Sequence, residues 1–411
     1  MIFQRTIPNH WAAYAVIASV FFAPLSASLQ SISVVLTLLL VLASPVLRQE
    51  TQALCSKPWF ITAAALFLMS MIASIWSPAP FLDIWIIIGK YSKLLYLPCF
   101  VVAFQAPKTR FWAVHAFIAA MMLTCIISFL KKAGLCHYHG EDPAFVFRKH
   151  IMTGYMMAFA VYLSLLYWFK SQSFKARIIY GILIVMMSYQ VLFIGMGRSS
   201  YLTFFLLMML AVALTFSWRK CVIALSSVVV LIITIYTQSN IMQQRLHEAV
   251  YDWKAFHNQT NLNTPVGFRL QFHRFAHRQF NQHPWIGNGT SGLGEAFKIE
   301  QPIPAWGERL FEPHSQYWLV AADWGLVGLF LFFSFFLSLL KAVWSLKETR
   351  AIALGMLSSF LLGCFFDSLL LYAGTGYFFL LFMALSLGAS ENFSSKTCNL
   401  VDNSNPEVLP V

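Results

Sequence analysis

The sequence predicts an all-α polytopic membrane protein with about twelve transmembrane helices and one large hydrophilic loop between the ninth and the tenth. Three observations lead there. Of 411 residues, 59% are hydrophobic and only 11% charged, where a soluble domain carries about 25% charged residues. Apolar runs close to the roughly 20 residues that cross a bilayer core recur along the chain. A single long polar stretch, residues 238–315, interrupts them late. With 39 Phe and a mean hydropathy of +0.67, the apolar surface exceeds what a water-soluble core of this size would hide.

In chain order, the runs lie near 11–24, 27–47, 58–76, 81–104, 110–130, 150–169, 177–196, 199–217, 219–237, 316–340, 351–370 and 372–388. Breaks fall at Pro24, Pro45, Pro58, Pro78, Pro80, Pro107 and Gly197, where a missing N–H or a missing Cβ ends a helix. The first run, Trp11–Phe22, has the proportions of a signal peptide, but a second run starts at Ala27. An uncleaved first helix followed by a tight turn is therefore expected. The chain divides into helices one to nine (1–237), the loop (238–315), helices ten to twelve (316–388) and a polar tail (389–411) that reads as disordered. The sequence shows no internal repeat.

A formal charge of +12 would suggest nucleic acid as the partner of a soluble protein. Here the cations are dispersed among short connections, so they read as a topology signal and no nucleic acid partner is expected. With the N-terminus inside, the inner ends hold Arg5, Arg48, Lys57, Lys108, Arg110, Lys170, Lys175, Arg177, Arg219, Lys220, Lys341, Lys347, Arg350 and Lys396. The short outer loops hold only Lys131, Lys132, Arg148, Lys149 and Arg198. That excess puts both termini in the cytoplasm and the large loop outside. Cys99, Cys125, Cys221 and Cys364 lie in apolar runs as small core residues and Cys136 is isolated. The cysteines form neither a disulfide framework nor a zinc motif.

The loop is far longer than an ordinary connection, and such loops tend to be functional. It concentrates His247, His257, His273, His277, His283 and His314 with Arg245, Lys254, Arg269, Arg274, Arg278, Lys298 and Arg309. Two amphipathic stretches, Ile241–Phe256 and Phe268–Phe280, are suited to the membrane surface. His273 and His277 share a helical face, but no further ligand completes a metal site, so none is expected. Arg198 follows a sharp turn, Gly195-Met196-Gly197. It reads either as a snorkelling anchor or as a fork that meets phosphate oxygens bidentately. Lys90 and Lys93 lie inside an apolar segment, where charge is costly. They mark either a binding site or a buried ion pair, with Asp83, Asp323 or Asp367 as partners. His314 begins the tenth helix at the water–lipid boundary and could accept a proton near neutral pH.

Four features together resemble the O-antigen ligase family, whose superfamily also holds O-antigen polymerases and bacterial protein O-oligosaccharyltransferases. The first is the helix count with its late loop. The second is a Gly-Arg-Ser turn, Gly197-Arg198-Ser199. The third is a loop arginine, Arg269, followed by His283-Pro284-Trp285-Ile286-Gly287-Asn288-Gly289. The fourth is Pro313-His314-Ser315-Gln316-Tyr317 running into Gly325 and Gly328. Order and spacing agree over about residues 190–340, and the first half is similar mainly in hydropathy.

The resemblance implies a metal- and ATP-independent glycosyltransferase of the inner membrane that needs no cofactor and acts in lipopolysaccharide biosynthesis. Its donor would be a glycan on undecaprenyl pyrophosphate and its acceptor a sugar hydroxyl of the lipid A core, both within reach of the membrane lipid and on the periplasmic side. Arg198, Arg269 and His314 would be the catalytic residues. Lys90, Lys93, Arg274, Arg278 and Tyr317 are secondary candidates for substrate binding, and Arg274 or Arg278 are alternatives to Arg269. Competing readings are an O-antigen polymerase, a protein O-oligosaccharyltransferase and, from another class, a lipid-linked glycan transporter or flippase. A transporter would show repeats and midplane charges, whereas here polar residues gather in the loop.

Overall fold

The computed structural model describes residues 10–136, 142–307 and 309–390. The described residues form helices and connections, with no strand among them. Arg5, Lys396 and the tail beyond Ser390 lie outside the described residues.

The chain opens with α1 (His10–Phe22), which packs on α2 (Ala27–Ala43). The expected second segment then breaks. Ser44 is extended, as a residue before proline prefers. Its side chain accepts the Leu47 N–H, and Pro45 occupies the first helical position of α3 (Pro45–Leu54). The axis turns by 100°. Next come α4 (Pro58–Ile72), α5 (Phe81–Tyr91), a 3₁₀ stretch (Ser92–Tyr96), α6 (Leu97–Ala103), α7 (Pro107–Lys132), α8 (His150–Lys170) and α9 (Phe174–Tyr189). A π-turn over Gln190–Ile194 closes α9. The last two helices before the loop are α10 (Arg198–Thr215) and α11 (Trp218–Gln238).

Among the described residues, six helical segments are long and apolar enough to cross a membrane. A seventh arises if the bent α2–α3 pair counts as one. Four more apolar helices, α1, α4, α16 (Arg350–Gly363) and α17 (Ala373–Leu387), have 10–17 residues and fall short of a full bilayer core by themselves. The chain is a multi-pass membrane protein by these helices. The break expected at Pro45 ends α2 at Ala43, and α16 stops at Gly363, short of the apolar run that reaches residue 370. At the centre, α7, α8 and α17 interlock through Phe117, Phe159, Phe378 and Phe382, with ring centroids 5.0–5.6 Å apart.

The polar loop is itself helical: α12 (Asn240–His257), α13 (Pro265–Gln282) and α14 (Gly292–Glu300). Ser239 and Thr264 cap the first two, accepting the N–H groups of Met242 and Gly267. The predicted amphipathic stretches fall within α12 and α13. The His-Pro-Trp-Ile-Gly-Asn-Gly segment follows and clamps the loop to the bundle. It meets α15 (Gln316–Trp344) where that helix is interrupted at Gly325, whose φ of 63° and ψ of −156° suit glycine almost alone. Asn288 and Gly289 donate backbone N–H bonds to the carbonyls of Ala322 and Asp323. Leu326 and Val327 donate to Pro284 and Trp285. Thr290 ties the same segment to α4 through the carbonyls of Ser70 and Ala73.

A Cβ on Gly287 would come within 2.4 Å of the Asp323 carbonyl carbon, and one on Gly325 within 2.5 Å of Trp285. We therefore expect Gly325→Ala to destabilise the protein by at least the roughly 1–3 kcal/mol of backbone strain. A lowered thermal midpoint of the detergent-solubilised chain checks this, and an unchanged midpoint would refute the clamp.

Candidate active site

The turn after α9 brings Arg198 to the first position of α10, with no side chain capping that helix end. A helix start is already favourable to anions, and Gly197, Arg198 and Ser199 line a cleft of about 400 Å³ there. Across it lie Arg245, Glu248 and Asp252 of α12 and Arg269 of α13. Arg245 Nη1 donates to Glu248 Oε2 at 2.8 Å. Arg198 approaches the same oxygen at 3.5 Å and Asp252 Oδ2 at 3.9 Å. Burial pushes the Glu248 carboxyl up, but Arg245, Gln244 and Arg198 outweigh it and hold the carboxyl below its ordinary range. Three guanidinium groups thus face one cleft, partly neutralised by two carboxylates.

His314 stands two residues ahead of α15, which starts at Gln316 where the apolar run begins, and has a left-handed φ of 54°. Such a backbone in a non-glycine residue is uncommon, less so for histidine, and tends to occur at functional sites. Glu312 makes the conformation possible. Its buried carboxylate accepts the His314 N–H at 2.7 Å, the Ser368 hydroxyl at 2.6 Å and the Tyr372 hydroxyl at 3.0 Å. His314 Nδ1 stands 3.0 Å from Glu312 Oε1 and 3.6 Å from Asp367 Oδ1. The first distance is short, but no well-aligned hydrogen bond to Nδ1 forms among the described residues, so the contact is chiefly electrostatic. Catalytic contacts of this kind often tighten only once substrate is bound. Glu312, His314 and Asp367 each offer a ligand atom within 4.8 Å of the others, a set able to take a divalent cation. In the arrangement seen, the two carboxylates draw Nδ1 toward themselves and leave Nε2 as the atom able to take a proton.

The cleft and the histidine are linked by α13. One turn beyond Arg269, His273 places Nε2 3.4 Å from the His314 carbonyl oxygen. Burial keeps the His273 imidazole less basic than usual, and the positive charge of Arg269 adds to this.

Of the three loop arginines considered, only Arg269 lines the Arg198 cleft. Arg274 stacks on Phe256 at 4.3 Å, and Arg278 pairs with Glu300. Buried Lys93 donates to the carbonyls of Tyr372 at 3.0 Å and Leu371 at 3.4 Å, not to any of the three aspartates considered as partners. Lys90 is half-buried and lies within the electrostatic reach of Glu312. Asp83 pairs with Arg309, and Asp323 accepts the N–H groups of Ser291 and Leu293. The Tyr317 hydroxyl is occupied by the Leu361 carbonyl at 2.8 Å. The sequence reading missed Arg245, Glu248 and Asp252 as cleft residues, and Glu312 as the partner of His314. The i,i+3 pair Arg245/Glu248 and the Glu312-Pro313-His314 run were the available signals.

Fold and site together define a polytopic membrane protein with an arginine-lined cleft and, linked to it through α13, a carboxylate-backed histidine. Residues 182–333, just over a third of the chain, match a family model described as O-Antigen ligase. The matched stretch holds Arg198, Arg269 and His314. No curated protein matches the chain.

Proposed function

We propose that the chain is an O-antigen ligase, which transfers a glycan from undecaprenyl pyrophosphate to a hydroxyl of the lipid A core at the periplasmic face of the inner membrane. In this reading the chain crosses the membrane about twelve times, with both termini cytoplasmic and residues 238–315 periplasmic, as its cation distribution favours. The observation that carries the proposal is the convergence of Arg198 and Arg269 on one cleft, connected through His273 to His314.

In the reaction the acceptor O–H proton passes to His314 Nε2. The acceptor oxygen bonds to the sugar C1, and the C1–O bond to pyrophosphate breaks with its electron pair leaving on the phosphate oxygen. In-line displacement inverts the anomeric centre. Pyrophosphate is already a good leaving group, so the chief task is to stabilise the charge it gains. Fixed guanidinium groups at a helix start do this without reorganising. The lipid carrier sets the depth of the donor, and the helices fix its approach.

The test is lipopolysaccharide from a deletion strain run on a gel, with carrier-linked glycan assayed alongside. Loss of long O-antigen from the lipid A core with polymer accumulating on the carrier supports the ligase. A lipid A core carrying a single repeat unit would instead make it the polymerase. An unchanged ladder would point to protein glycosylation or transport.

A pH dependence follows from Glu312. Burial raises its carboxyl above the ordinary value and Asp367 adds to this, while His314, Ser368 and Tyr372 pull the other way. Because the folded state holds this proton more tightly than the unfolded chain, Glu312 favours folding at low pH. That contribution fades as pH rises from the unfolded value through the raised one. Transfer has the opposite dependence, since only ionised Glu312 stabilises a protonated His314. The rate should fall as pH drops through a midpoint above the usual carboxylate range. A pH–rate profile checks this, and an unmoved midpoint in Glu312→Gln would refute the assignment.

A further inference from the structure

Beside the arginine cleft, on the other flank of α13, lies a second groove of about 400 Å³ between α12, α13 and the first turn of α15. Its volume falls within the range of small-molecule sites, and its lining is of two kinds. Trp253 and Trp318 supply flat apolar faces, while Phe256 is buried beneath Arg274. His257, His273, His277 and Arg274 supply ring and guanidinium nitrogens. The aromatic surfaces are held by neighbours: Trp253 stacks on His257 at 4.9 Å, and His277 meets Trp318 edge-on at 5.4 Å. Trp253 remains 52% exposed. His273 lines this groove and also reaches the His314 carbonyl, so one side chain connects the groove with the backbone of the proposed base.

This combination selects among occupants. An acyl chain needs apolar walls and gains nothing from imidazoles and a guanidinium. A bare phosphate needs cations and gains nothing from indoles. A pyranose ring needs both: its C–H face packs on an aromatic plane while its equatorial hydroxyls donate and accept in the ring plane, and a neutral imidazole does either.

We propose that this groove is a sugar subsite, in which a pyranose ring stacks on Trp318 and Trp253 while His257 and His277 bond its hydroxyls. It rests on the ligase reading for its role, which is to hold the glycan whose reacting atom is presented to His314. That glycan belongs either to the acceptor core or to the donor, and the chemistry of recognition is the same for both.

The test uses the full-length chain in nanodiscs and two soluble probes: delipidated core oligosaccharide, and donor glycan released from its pyrophosphate. Binding is read by saturation-transfer NMR and by titration, and steady-state transfer is measured in parallel. One probe should bind, and Trp318→Ala should weaken it about tenfold, as the loss of a central aromatic contact does. The KM of the matching substrate should rise by a similar factor, with kcat changing far less. A rise in the acceptor KM assigns the groove to the core sugar, and a rise in the donor KM assigns it to the donor glycan. If Trp318→Ala fails to fold, His277→Ala, at an exposed position, should weaken the same probe. The subsite is overturned if neither probe binds, or if the variants alter only partitioning of the protein into lipid. If a probe binds and is lost in Trp318→Ala while the unaltered protein transfers nothing, the ligase reading fails and the sugar subsite stands.

Discussion

Replacement of His314 by alanine should lower glycan transfer by about 10²–10⁴-fold, the usual contribution of a positioned general base. The loss should appear in kcat, because no other imidazole occupies the same position. His273, the nearest candidate, engages the His314 backbone through its own Nε2. Donor binding should survive, since the arginine cleft is lined by α8, α10, α12 and α13 and does not include His314. The measurement is single-turnover transfer with purified protein and carrier-linked donor, with donor binding measured separately. Glu312→Gln should fall between the two proteins. It keeps the side-chain volume and an oxygen to accept the His314 N–H, but it removes the charge beside Nδ1. Undiminished transfer by His314→Ala would remove the base from the mechanism. Equal loss of transfer and donor binding would instead show that His314 supports the loop structure.

The sequence made the class of this fold plain because bilayer physics is one-dimensional: an apolar run of sufficient length has few alternatives to a helix. It also marked α12 and α13, since their amphipathic periods survive within a polar stretch. Where helices bend was harder to read. Pro45 was visible as a break, but the 100° turn depends on how α3 buries Leu47, Thr51 and Leu54 against the bundle. The glycines of the His-Pro-Trp-Ile-Gly-Asn-Gly segment are legible as a motif, yet their reason lies far along the chain in the interruption at Gly325. Gly287 and Gly325 are required because two backbones meet there without room for a Cβ.

Charged residues in the apolar segments misled for a related reason. Lys93 reads from the sequence as a binding group or as half of a buried ion pair, but the segment before α17 turns the carbonyls of Leu371 and Tyr372 toward it, and these satisfy an ammonium group as well. Arg198, by contrast, has its carboxylate partners on α12, fifty residues on, and only the folding of the loop over the bundle brings them together.

The arrangement around Arg198 leads to the second large expected effect. Arg198→Ala and Arg269→Ala should each reduce transfer by about 10²–10³-fold, comparable to removing one preorganised donor from a charge-stabilising site. Arg198→Lys should recover little. A lysine keeps the charge but not the planar fork, and from the first turn of α10 a single ammonium cannot serve Glu248 and a phosphate in one geometry. Arg245→Ala should cost less, because its guanidinium is already engaged by Glu248 at 2.8 Å and by the Met196 sulfur at 2.9 Å. Glu248 itself should act in the opposite direction. One of its oxygens lies 3.5 Å from Arg198 Nη2, so an incoming pyrophosphate must displace it or share the guanidinium with it. Glu248→Gln should therefore tighten donor binding while lowering the salt needed to weaken it by half, since the arginine charge is then uncompensated and a larger part of the attraction is open to screening. Donor-binding isotherms over a range of ionic strengths, run for Arg198→Lys, Arg269→Ala and Glu248→Gln together, separate these effects. Full activity in Arg198→Lys would mean that the cleft supplies charge alone. Weakened binding in Glu248→Gln would mean that the carboxylate holds the arginines in position for the phosphate and does not compete with it.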